Sequence, residues 1–174
     1  LRHGQVAVLC RTNPLAHAYA ETLRACGIPA LCLRRGGILA APECRRVLEY
    51  LRCLADPDDR DALAIALAGP VADLGSVVAS IMADPRGPLD ALAVFRPEVA
   101  GAIARHRSWV QRLRPADLAR RSLEELGYLE ACAALPDGGI AERNVLGLVE
   151  RIEELRDRGL LQIIDDLVTE IDSE

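Results

Sequence analysis

The chain has 174 residues, a net charge of −5 and no lysine, so all 21 basic residues are arginines. The missing lysine excludes a Walker-type phosphate loop and any Schiff-base chemistry. Arg, Asp or Glu interrupts every apolar run before it reaches the length of a membrane span, and no signal-peptide pattern is read, so a cytoplasmic protein with no membrane partner is expected.

Hydrophobic residues make up 51% of the chain and aromatics 3%. The core is therefore expected to be Leu, Val, Ile and Ala, a bias that favours helices. Cys10, Cys26, Cys32, Cys44, Cys53 and Cys132 have no metal-type spacing. They read as reduced core residues.

In chain order, QVAVLCR (Gln5 to Arg11) reads as a buried strand. Asn13-Pro14 predicts a cap and a helix start, and Gly27 the helix end, with Leu15, Ala18, Tyr19, Leu23 and Cys26 near one face. Ile28 to Leu33 reads as a second strand, and Gly36-Gly37 as a turn. PECRRVLEYLRCLAD predicts a helix from Pro42, with Val47, Leu48, Leu51 and Leu54 at helical spacing. Asp58 or Asp59 caps the next helix, which Gly69-Pro70 breaks.

Beyond that the reading is helical: 74–83, 98–113, 115 to Gly127, 140–158 and 160–171, with a breaker at DPRGP. Val145, Leu148, Val149, Ile152 and Leu155 form one stripe. Two strands cannot make a stable sheet alone. The expected fold is mostly α with a small α/β part, as a piece of a larger parallel sheet followed by a helical module. The boundary is placed at residues 1–69 and 70–174. Residues 1–60 hold nine Arg and six acids, whereas residues 61–174 hold twelve Arg and twenty acids. The two parts are expected to face different partners.

"VAVLCRTN…ETLRACGIPA…GG", followed by "ECRRVLEYLRCLADPDDRDALAIALAGP", resembles the UvrD/PcrA/Rep helicases and the related AddA and RecB helicase–nuclease subunits. The shared pattern is an apolar strand, Arg-Ser/Thr-Asn, a helix ending in GIP, a Gly-Gly turn, a helix opening on Glu with YLR inside it, and Asp-Asp before a further helix. "SLEELGYLEACAALPDGGIAERNVLGLVERIEEL" resembles AddA-type chains. The resemblance implies the start of a second RecA-like motor domain, as a partial strand-helix-strand unit (1–69), and much of its helical 2B insertion (70–174). The parent would hydrolyse ATP with Mg²⁺ to translocate 3′-to-5′ on single-stranded DNA and unwind duplex in repair or recombination. The chain alone, lacking the Walker motifs, is expected to be inactive and to hold no cofactor.

In such helicases residues matching Arg11 and Asn13 touch the single-stranded DNA backbone. Guanidinium and amide donors at a helix N-terminus suit phosphate oxygens. The plainer reading makes Asn13 a cap and Arg11 a solvated charge. Thr12 and the basic residues around the Gly-Gly turn, Arg34, Arg35, Arg45 and Arg46, complete the DNA-binding candidates. Ala72-Asp73 stand where the monomeric helicases carry a basic turn that contacts duplex, which tilts the resemblance towards AddA-like chains.

Six arginines (Arg105, Arg107, Arg112, Arg114, Arg120 and Arg121) surround Trp109, the only tryptophan. They suit either nucleic acid or a solvated face with Trp109 in the core. Glu43 and Asp58-Asp59 could serve acid–base chemistry or Mg²⁺, but their positions at helix starts favour capping. His3, His17 and His106 stand isolated, with no catalytic or metal spacing. Expected partners are single-stranded and junction DNA, the remaining helicase domains, and a nuclease or repair subunit. Exposed apolar surface is expected on the α/β piece, which a homodimer would bury. The competing reading is a non-catalytic helical module that docks a repair partner.

Overall fold

A computed structural model describes residues 6–28, 30, 39–69, 74–135 and 138–173. Ten helices form among them, and no strand. The described residues divide into two compact units, one before residue 38 and one from residue 39 to 173. This packing division falls earlier than Gly69-Pro70, because the helices of residues 42–67 pack with the helices that follow them.

The first unit contains α1 (Asn13–Ala25). Thr12, extended at φ −137° and ψ 150°, takes the cap position expected of Asn13, which begins the helix itself. Thr12 makes no side-chain capping bond. At the other end Gly27 has φ +73°. Its N–H bonds the Arg24 carbonyl at 2.9 Å, and the Ile28 N–H bonds the Leu23 carbonyl at 2.9 Å. This paired closure needs a left-handed residue, which glycine supplies without strain.

The strand expected over Gln5–Arg11 is not seen in the described residues 6–10, which have no regular structure. Ile28 and Ala30, within the second expected strand, also have none, and residues 31–33 lie outside the described residues, as does the Gly36-Gly37 turn. A strand needs a neighbour to receive its ladder bonds. Among the described residues no strand stands beside this segment; Val6, Val8 and Leu9 are exposed, Leu9 at 98%, and Leu15 and Tyr19 of α1 are half exposed.

The second unit is built around α2 (Pro42–Ala55), which buries Cys44, Val47, Leu48, Leu51 and Leu54 as the spacing predicts. Its neighbours are α3 (Arg60–Leu67), α6 (Pro97–Trp109), α9 (Gly138–Glu154) and α10 (Leu160–Ser173). Between them lie α4 (Val78–Met82), α5 (Pro88–Phe95), α7 (Pro115–Glu125) and α8 (Tyr128–Ala133). Proline stands in the first turn of α1, α2, α5, α6 and α7, where its missing N–H costs nothing.

Four residues of the expected stripe, Val145, Leu148, Val149 and Ile152, are buried on α9, whereas Leu155 lies past the helix end and is partly buried. Helices α5 and α8 are additions to the elements read from the sequence. Each is short, at 8 and 6 residues, and α8 follows α7 through Gly127, which turns the chain at φ +62°.

Asp59 caps α3, accepting from the Ala62 N–H at 2.9 Å. Asp59→Ala should cost about 1 kcal/mol, the usual worth of a side-chain N-cap. Urea denaturation checks this, and an unchanged midpoint would refute the cap. The buried Cys44 and Cys53 thiols are pushed up to about 12 by desolvation, so they are inert core groups. Cys26, by contrast, is exposed and Cys10 partly so, contrary to the expected core role, and Cys32 lies outside the described residues.

Candidate nucleic-acid interface

In the first unit, Arg11 and Thr12 are exposed at the start of α1. The first helical bond runs from the Ala16 N–H to the Thr12 carbonyl at 3.1 Å. The first turn holds no acid, and no side chain caps it. A helix N-terminus with an exposed guanidinium and no competing carboxylate has the charge and donors a phosphate needs.

In the second unit, Arg45 is exposed on α2 and Arg46 is half-buried. A Cβ at Gly69 would come within 3.2 Å of the Arg46 Cδ, so the Arg46 stem fits against bare backbone. Its guanidinium counts among the charges that lower the Tyr128 phenol, although burial dominates and pushes that group up. Arg46 also lines a small cavity with Tyr50, Leu67, Ile103 and Tyr128. The cavity offers about 20 Å³, room for roughly one water. Arg46 is thus part of the packing as well as of the surface. Arg34, Arg35 and Asp73 lie outside the described residues.

Three of the six arginines around Trp109 bond to protein groups. Arg105 Nε donates to Glu125 at 3.0 Å, and Arg107 donates to the Cys53 carbonyl at 3.0 Å. Arg120 pairs with Asp117 at 3.4 Å. Arg112, Arg114 and Arg121 are exposed. Trp109 is half-buried against the core.

His106 is not isolated in space. It is fully buried, with Nδ1 2.6 Å from the Tyr50 hydroxyl and Nε2 3.0 Å from the Glu125 carboxylate. Burial holds its imidazole below the usual histidine range, against the opposing pull of Glu125. The hydrogen bond from Arg105 in turn holds the Glu125 carboxyl below its ordinary value. These partners stand 56 and 19 residues away in sequence, a separation that no local spacing reveals.

The sequence makes Glu43 a helix-end charge at the start of α2. It does lie in the first turn, but its carboxylate accepts from Asn144 Nδ2 on α9 at 2.7 Å. The Tyr128 hydroxyl donates to the Glu43 carbonyl at 3.0 Å. The glutamate that opens α2 and the Gly-Tyr and Arg-Asn segments of the later motif therefore meet at one place. Among the described residues no group of three or more His, Cys, Asp or Glu is placed to hold a metal, and no helix is long and apolar enough to cross a membrane.

Residues 2–86 match the UvrD-like helicase C-terminal domain. The chain is also similar to the A subunit of the ATP-dependent helicase/nuclease of Pelotomaculum thermopropionicum, at 27% identity over 169 residues. That match covers 88% of this chain and 13% of the relative, so the chain spans about an eighth of that protein's length. Residues 2–86 thus resemble the UvrD-like helicase C-terminal domain, and the chain as a whole is similar to a helicase/nuclease A subunit.

Proposed function

We propose that the chain is a working part of an ATP-dependent DNA helicase that translocates on single-stranded DNA and unwinds duplex in repair or recombination. Arg11, Thr12 and Asn13 would contribute to its DNA track, with Arg34, Arg35, Arg45 and Arg46 around the Gly-Gly turn. Residues 1–69 would belong to the second motor domain, and 70–174 to its helical insertion. The observation that carries this reading is the match of residues 2–86 to the UvrD-like helicase C-terminal domain. The open, acid-free N-terminus of α1 beside exposed Arg11 supports the DNA track.

ATP and Mg²⁺ would be held elsewhere in the parent. This chain has no lysine for the phosphates, and its described residues bring no set of metal ligands together, so its own side chains do not fit that site. The exposed Val6, Val8, Leu9, Leu15 and Tyr19 would be covered by the rest of the motor sheet, or by a second copy of the piece. A nuclease or repair subunit would be a further partner.

A second reading, docking of a partner protein, is favoured by the acidic excess of residues 61–174. Binding of the 174-residue chain to labelled oligo-dT across a salt series separates the two. The DNA-track reading predicts affinity that falls with salt, and a slope reduced by about 0.7 in Arg11→Ala, the loss of one single-strand phosphate contact. No binding, or binding indifferent to salt, would overturn it in favour of docking.

A further inference from the structure

Three helices meet at His106. Helix α6 carries it, α2 presents Tyr50 and α7 presents Glu125. Glu125 is an ionised acceptor, so the Nε2 facing it carries the proton and donates. In a neutral imidazole Nδ1 is then an acceptor, and the Tyr50 hydroxyl donates into it at 2.6 Å. With His106 neutral, every donor and acceptor of the three groups that face one another is used. A second proton on His106 would sit on Nδ1 and turn the Tyr50 hydroxyl into an acceptor, leaving the hydroxyl hydrogen without its partner beside a fully buried imidazolium.

From these contacts we infer that Tyr50, His106 and Glu125 form an acid-sensitive clasp that fastens α6 and α7 to α2, closed with neutral His106 and loosened when His106 takes a proton. The groups facing it are Tyr50 and Cys53 from α2, Arg105 and Arg107 from α6, and Glu125 from α7. Helix α5 also packs on α6, and its acid, Asp90, is exposed beside Arg86. Glu125 favours the imidazolium, whereas burial and Arg105 oppose it, and burial is the largest of these effects.

The sign follows from linkage. The opened state takes a proton near the ordinary histidine value of 6.5, while the closed state resists until a lower pH. Stability contributed by the clasp is therefore complete above about pH 6.5 and lost as pH falls towards the closed state's value.

Trp109 reports on this directly. It is the only tryptophan, and its ring lies 4.8 Å from the His106 ring, close enough for an imidazolium to quench it. Fluorescence of the folded 174-residue chain, followed from pH 8 to pH 5, should show quenching with a midpoint below 6.5. Tyr50→Phe removes the bond that favours the neutral ring and should raise that midpoint by about one unit. His106→Gln should abolish the step. A wild-type midpoint at or above 6.5, or one that Tyr50→Phe leaves unmoved, would overturn the clasp. Should His106→Gln fail to fold, nitrogen NMR of the wild-type imidazole decides. Protonation on Nε2 alone at pH 8 is expected, and an imidazolium or the other tautomer would overturn the proposal.

Discussion

Leu148→Ala should lower the stability of the helical unit by about 3–4 kcal/mol. Leu148 is fully buried on α9, the helix against which α2, α7 and α8 all pack. Truncation removes three carbons from water-free contact and leaves a cavity that three separately anchored helices cannot collapse around. For a chain of this size that is a fall in melting temperature of roughly 10 °C. Leu146, two residues away on the same helix, is 45% exposed. Leu146→Ala should change stability by no more than about 0.5 kcal/mol. Calorimetry of both variants checks the contrast. Equal effects would mean that α9 does not hold the centre of the unit.

That contrast is readable from the chain, because the 145–155 stripe is long and regular and its apolar positions recur at the helical period. Val47, Leu48, Leu51 and Leu54 of α2 are legible for the same reason. The cap on α3 is legible as Asp58 or Asp59, and the bond from the Ala62 N–H shows it to be Asp59. Helices α5 and α8 are not, since PLDALAVF and YLEACA are too short to display a period and lie between breakers.

The strands fail differently. QVAVLCR has the composition of a buried strand, and composition says what would cover it rather than whether the cover is present. Its exposed Val6, Val8 and Leu9 are the physical trace of that difference.

Of the DNA-facing candidates, Arg11 and Thr12 stand at a helix start in both the sequence pattern and the fold. The pattern does not show that Arg46 is also a packing residue. That second role depends on Gly69, 23 positions away, leaving room for the arginine stem. His106 reads as isolated in the sequence because its partners are spread over three helices. One clue lies in an Arg-His-Arg run on α6, whose histidine falls on the same side as the apolar Val99, Ala102 and Ile103. A histidine on an apolar face needs partners from elsewhere in the fold.

Glu43→Ala should destabilise the helical unit by about 2 kcal/mol, and most of that loss should vanish when Asn144 is already alanine. A carboxylate in the first turn of α2 gains from the helix dipole, worth about 0.3–1 kcal/mol. The structure adds a charge-assisted bond from Asn144 at 2.7 Å, partly shielded from water, across 101 residues of chain. Such bonds contribute about 1.5–3 kcal/mol, and removing either partner strands the other. The two readings separate in a double-mutant cycle. A helix-end charge alone predicts that Glu43→Ala and Asn144→Ala add. The tie predicts a coupling of about 1 kcal/mol or more. Tyr128→Phe, which removes only the hydroxyl bond to the Glu43 carbonyl, should cost about 1 kcal/mol and leave that coupling in place. Chemical denaturation of the four cycle members and Tyr128→Phe measures all of this. Strict additivity would return Glu43 to a local role at the helix end. Coupling would make it the residue through which the start of α2 is fastened to α9.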